Sequence, residues 1–214
     1  MRTEGPVPGL RERKKQATRT ALAEAAVRLA AEHGAENVTV DAISAAAGVS
    51  PRTFFNYFDS HDDAFVMVDQ EIGERVRSAV REAPAALPPL DVVREAFATE
   101  LADVEERHEI WFLRGKVLQR SPHLLVRGLG AHMAEELELA EAIAARLGHA
   151  APEGAGSPGL YPRLLAAVAG TAVRVAVEHW CSEPPGTVAF TDVFRKAFSH
   201  LAAGLPAPSA PAGH

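Results

Sequence analysis

The sequence predicts an all-α fold, a three-helix helix-turn-helix domain followed by a larger helical bundle. Apolar residues recur every three or four positions along most of the 214 residues. Residues 39–61 read as two short helices around a tight glycine turn, with a third helix following at once. Pro/Gly-rich breaks near 84–89, 148–159 and 205–214 divide the remainder into long amphipathic stretches rather than short alternating strands.

Taken in order, residues 1–10 are expected to form a flexible arm. Helix one then runs to His33, with Leu22, Ala25, Ala26 and Leu29 at helical spacing and Gly34 as its stop. Thr39 is suited to N-cap a helix from Val40 to Ala47. Gly48 tolerates the positive φ that follows it, and Ser50 with Pro51 opens the next helix. Ile43, Ala46, Val49, Phe54 and Phe58 are expected to face inward, which leaves Pro51, Arg52, Thr53, Phe55 and Asn56 to meet a groove. Ser60 caps a fourth helix, Asp62 and Asp63 favour its macrodipole, and Phe65, Val66, Val68 and Ile72 carry it towards Val80. After the prolines at 84, 88 and 89, a helix from Leu90 to about Glu105 places Val93, Phe97 and Leu101 on one face. Further helices are expected over 108–119, from Pro122 to Leu147, from Tyr161 to Cys181 and from Thr191 to Ala203. A loop is expected over Gly148–Gly159, and a disordered tail over 205–214.

Charge is divided along the chain. The net charge is −6, yet residues 1–58 hold eight Lys/Arg against six Asp/Glu. Within them Arg11, Arg13, Lys14, Lys15 and Arg19 form a basic start to helix one, as attraction to phosphate requires. The single cysteine, Cys181, excludes an intrachain disulfide and fits a reducing compartment. No charged start leads into an apolar stretch, and Arg174 and Glu178 interrupt the most apolar helix, so neither secretion signal nor membrane span is expected and the cytoplasm is the expected location.

Catalytic and metal chemistry find little support. The nine histidines show no HExxH pattern and no pair three or four apart. His179 and Cys181 point about 200° apart on a helix, too divergent to share a metal. With no P-loop and no GxGxxG motif, neither an enzyme nor a bound cofactor or metal is expected.

The stretch Thr39–Ala64, with its Thr-Val start, Ala-Gly-Val-Ser turn and aromatic cluster ending at Phe58, resembles the TetR family of regulators. The likeness reaches back through helix one and so covers about a third of the chain. Arg-Thr-Phe-Phe-Asn-Tyr-Phe at 52–58, with Pro-Pro-Leu at 88–90, is similar to its actinobacterial MftR-like branch. The resemblance implies a DNA-binding domain over 11–58 and a ligand-binding and dimerisation domain over 59–204. It further implies a homodimeric, ligand-responsive repressor on palindromic double-stranded operator DNA, released by a small, acyl-CoA-like or other amphipathic effector.

Site residues follow from both readings. Arg13, Lys14, Lys15, Thr39 and Ser50 are expected to grip the DNA backbone or frame the reader. Arg52 reads guanine or holds phosphate, Asn56 pairs with adenine, and Tyr57 matches a family position that reaches phosphate. Two positions depart from the family. Phe55 replaces a frequent tyrosine, so its ring touches a thymine methyl or covers sugar; His61 replaces a frequent lysine and either contacts phosphate in a pH-dependent way or is solvated. The ligand site is expected from Phe97, Leu101, Trp111, Phe112, Leu118, Met133 and Trp180, with Arg114, His132 and His179 as polar partners. Dimerisation is expected through Leu164, Leu165, Val168, Ala172, Val175 and Ala176 on one helix and Val193, Phe194, Ala197, Phe198 and Leu201 on the next. A second possibility is a helical small-molecule or protein-binding module in which DNA binding is secondary.

Overall fold

A computed structural model describes residues 10–66, 70–148, 158–184 and 186–206. The expected N-terminal arm, the central part of the Gly148–Gly159 loop and residues 207–214 lie outside the described residues. All described regular structure is helical, as the apolar spacing predicts. The described residues fall into two compact units: one holds those up to 66 together with Phe112–Gly128, the other holds the rest.

In the first unit α1 (Leu10–His33) ends where expected, at Gly34 with φ +84°, a conformation that favours glycine. A 3-10 turn (Ala35–Asn37) leads to α2 (Val40–Ala46), α3 (Pro51–Phe54) and α4 (Asp63–Val66). Their core joins Leu22, Ala26, Ala30, Val38, Ile43, Phe54, Phe58, Ala64 and Phe65 to Val117 and Leu124. On helix one Leu22 and Ala26 are fully buried, and Ala25 and Leu29 pack at the core edge. Ala46, expected inside, is exposed. The buried face of α2 is Ile43, Ser44 and Ala47. At about 100° per residue Ala46 lies roughly 110° from the centre of that face.

The second unit is built from α5 (Gln70–Glu82), α6 (Pro89–Glu100), a 3-10 turn (Val104–Arg107), the start of α7 (His108–Arg120), most of α8 (Pro122–Arg146), α9 (Leu160–Ser182) and α10 (Phe190–Ala202). The expected 90–105 helix stops at Glu100 and resumes as the 3-10 turn. Whether α4 and α5 are one helix falls on residues 67–69, outside the described residues. Val76, Val80, Val93, Leu139, Ile143, Ala166, Ala169, Phe194 and Phe198 lie at the centre. Alanines on α9 let its backbone approach α10 and α6 closely. By length and composition α9 is long and apolar enough to cross a membrane. It carries the Arg174–Glu178 ion pair at 3.0 Å and buries a row of alanines and Trp180 on one face.

Polar groups stitch the second unit at its edges. Arg77, 7% exposed, lies among Glu74 on its own helix and Glu135 and Glu138 on α8. Burial opposes its charge, but the three carboxylates outweigh that and raise its pKa further. Arg146, near the end of α8, donates to the carbonyls of Ala83, Pro84 and Leu87, closing the α5–α6 loop.

Candidate nucleic-acid interface

The helix-turn-helix is built by side chains that satisfy its own backbone. Thr39 Oγ1 accepts from the Ala42 N–H at 3.2 Å and starts α2. Gly48 takes φ +69° with no heavy atom near a Cβ placed there, so only its backbone conformation demands glycine. Ser50 Oγ then accepts from the Thr53 N–H at 3.2 Å and lies 2.9 Å from Thr53 Oγ1, and Pro51 occupies the first turn, where its missing N–H costs nothing. Phe54 is fully buried, ring to ring with Phe58 at 5.2 Å.

With Phe54 anchored, its neighbours point outward. Pro51, Arg52, Phe55 and Asn56 are all exposed, Thr53 is half-buried, and Phe55 stands edge-on to Phe54 with 59% of its surface open. Lys14, Lys15, Thr39 and Ser50 are exposed too. The Arg13 side chain lies outside the described residues. Tyr57 is half-buried, its hydroxyl-bearing ring packed at the core edge.

Three arginines do work that spacing could not show. Arg19, read as part of the basic arm, turns inward: it donates to the Tyr57 carbonyl at 2.6 Å and lies 4.6 Å from the Phe58 ring centroid. Arg127 bonds Asp63 Oδ1 at 2.7 Å and Ser60 Oγ at 3.0 Å, while Asp63 Oδ2 accepts from both the N–H and the hydroxyl of Ser60. Burial alone would raise the Asp63 carboxyl, but the hydrogen bonds from Ser60 and Arg127 and the Arg127 charge outweigh it and hold the group below its ordinary 3.8. Arg114, expected beside a ligand, donates Nε and a terminal N–H to the Val66 carbonyl at 3.0 and 2.7 Å. The one-turn helix α4 is thus held at both ends. These partners lie 48 to 67 residues away in sequence, and no local pattern announces them.

His61 is also drawn inward. Its Nδ1 lies 2.9 Å from Asp62, its ring is edge-on to Phe65 at 4.8 Å, and its Nε2 is buried without a hydrogen-bond partner. In this orientation neither ring nitrogen is presented to a phosphate.

Of the expected ligand residues, Phe112, Arg114 and Leu118 belong to the first unit and the others to the second. Phe97, Leu101 and Trp111 pack against the second core, Met133 is 64% exposed, and His179 is exposed. Trp180 is 3% exposed, donates Nε1 to the Val188 carbonyl at 3.2 Å, and meets His108 and Phe190 edge-on, so its place is core. The expected dimer residues divide likewise. Leu165, Ala172, Ala176, Phe194 and Phe198 are buried within the unit; Val168, Val193, Ala197 and Leu201 are half-buried; Leu164 and Val175 are exposed. Among the described residues no three His, Cys, Asp or Glu side chains are grouped to hold a metal.

The family model for bacterial regulatory proteins of the tetR family matches residues 22–66, the segment that carries this geometry. The model for the MftR C-terminal domain matches residues 87–206. The chain is 31% identical over 179 residues to the HTH-type transcriptional regulator TcmR of Streptomyces glaucescens, covering 81% of this chain and 77% of that one. The chain belongs to the TetR family. As a TetR-family transcriptional regulator it binds DNA and responds to ligands in the general manner of that family. Its fold is shared with the fatty acid degradation regulator FadR of Bacillus halodurans, at TM-score 0.56 and 19% identity over 95% of this chain and 98% of that one. It is shared as well with FadR of Thermus thermophilus in complex with lauroyl-CoA, at TM-score 0.52 and 22% identity over 92% and 99%.

Proposed function

We propose that this TetR-family chain is a homodimeric cytoplasmic repressor that binds a palindromic operator and is released by a small amphipathic effector. The observation that carries this reading is the capped α3 and the turn after it, anchored by the buried Phe54 and Phe58, which leave Arg52, Phe55 and Asn56 exposed. A guanidinium reaching guanine O6 and N7, an amide pairing with adenine, and an apolar ring against a thymine methyl together make a direct reader. Thr39, Ser50 and the exposed Lys14 and Lys15 supply backbone contacts around it. His61 is left out of this set, because its ring nitrogens face Asp62 and the interior.

A single helix of this size reads too few bases, so the operator is expected to be a palindrome with half-sites about 34–36 Å apart or a larger multiple of the helical turn. The outward stripe of α9, from Leu160, Tyr161 and Leu164 to Val175, is the surface proposed to meet a second copy, with the half-buried Val193, Ala197 and Leu201 of α10 beside it. The MftR-type C-terminal match, and the lauroyl-CoA carried by the T. thermophilus FadR, make an acyl-CoA the first effector class to try.

Selection of random duplex DNA by the purified protein tests the reading directly. A symmetric motif that vanishes with Arg52→Ala is expected, together with a slope of log affinity on log salt of about −7 to −9. Absence of any symmetric enrichment, or a slope near zero, would overturn it. An acyl-CoA panel that neither releases DNA nor raises the melting temperature would remove that effector class alone.

A further inference from the structure

An open cleft of about 270 Å³ lies within the first unit, between the end of α1 with its following turn and the second half of α7. Its floor includes Ala30 and Val117, each 4% exposed, and the half-buried Ala31. Its exposed rim carries Lys116, Arg120 and Glu36. Lys116 and Arg120 are four residues apart on a helix and so share one face, directed at the cleft. Lys116 Nζ sits 4.1 Å from the Phe112 ring centroid, which fixes the side chain without neutralising it.

The bland role for these two cations would be to cap the carbonyls that end α1. Two of those carbonyls have other partners: Gly34 N–H bonds Ala30 O at 2.9 Å, and Asn37 Nδ2 bonds His33 O at 2.8 Å. Among the described residues neither Lys116 nor Arg120 makes an ion pair. A small apolar floor under two cations and one carboxylate suits a ligand with one negative charge and a compact apolar body. The volume lies just below the usual ~300–1,000 Å³ of small-molecule pockets, too little to enclose an acyl-CoA.

We propose that this cleft is a second ligand site, inside the DNA-binding unit, for a small monocarboxylate of aromatic or short-chain type. It acts on the reader because both walls bear on it. The α1 wall carries Leu22, Ala26 and Ala30 of the helix-turn-helix core, and the α7 wall carries Val117 of that core and Arg114, which holds the end of α4. A ligand wedged between them shifts the balance between arrangements of α1 and α7, with consequences for how α3 is presented. This effect on DNA rests on the repressor reading above; binding itself does not.

The test uses the full-length protein with benzoate as the probe, read by methyl NMR of the alanines and valines. Benzoate is expected to shift the Ala30, Ala31 and Val117 methyls saturably in the millimolar range, with benzamide and inorganic phosphate ineffective. Ala31→Leu, which fills the cleft at a half-exposed position, should abolish the response. Lys116→Ala with Arg120→Ala, on the surface and without effect on the core, should weaken it by about tenfold or more. No saturable shift in the wild type, an undiminished response in both variants, or equal responses to benzamide or phosphate would overturn the site. Benzoate should also lower affinity for the selected operator severalfold, an effect Ala31→Leu lacks; unchanged affinity would overturn its regulatory role. Failure of the ligand-free protein to bind any operator would instead count against the repressor reading and leave the NMR result standing.

Discussion

Arg19 and Ser44 show how little of a side chain's role is set by its type. A cation in a basic run is expected on phosphate, yet Arg19 holds the Tyr57 carbonyl and covers Phe58, so it fixes the far end of the reader to α1. Arg19→Ala is expected to lower stability by about 1–2 kcal/mol, measured by urea unfolding, because a charged hydrogen bond and a ring contact are lost together. Ser44 is the opposite case. It is fully buried on α2, and its hydroxyl has no partner among the described residues. Ser44→Ala should therefore be neutral or stabilising by up to about 1 kcal/mol, where a hydroxyl in a satisfied network would show a loss.

At the scale of elements, the turn and α4 are held by different means. The turn between α2 and α3 depends on the backbone of Gly48 at φ +69° in open space. Gly48→Ala is expected to cost about 1–2 kcal/mol and Gly48→Asn distinctly less, since asparagine enters the left-handed region more readily; thermal melts of the two variants make the comparison. Helix α4 has only four residues and depends on partners: Asp63 with Ser60 and Arg127 at its start, and Arg114 on the Val66 carbonyl at its end. Because the folded-state pKa of Asp63 is depressed, its carboxylate contributes stability in full above its ordinary 3.8, and that contribution fades as pH falls through the folded value. Asp63→Asn should accordingly be less stable than wild type at neutral pH, with the difference closing in acid. Urea midpoints measured across that range check the sign.

For the whole molecule, core and interface separate on α9 and α10. Both helices show the apolar spacing of three and four that the sequence offers for dimerisation, but that spacing describes any face that is buried, whether by the same chain or by another. Phe194 and Phe198 face the unit's own core, whereas Leu164 and Val175 face outward. Leu164→Glu with Val175→Glu is expected to yield a folded monomer by sedimentation, with loss of operator binding. Phe198→Ala should instead reduce stability by about 3–5 kcal/mol, since it opens a cavity in a packed interior. A double variant that stays dimeric would move the interface elsewhere.

By itself the sequence determined the helical class, the ends of α1, α7, α8, α9 and α10 to within a residue or two, and the capped turn at 39–51. Caps, glycine turns and helical periodicity act over a few residues, so they are written locally. The family, too, was legible in the 39–64 stretch, because a recognition helix needs its cap, turn and aromatic anchors close together in the chain. Only the tertiary structure decided that Ala46 faces outward, that Arg19, Arg114 and His61 turn inward, that Trp180 is core, and that Lys116 and Arg120 overhang a cleft beside α1. Each of those outcomes depends on helix phase or on a partner far along the chain, and what a side chain meets across that distance is set by packing.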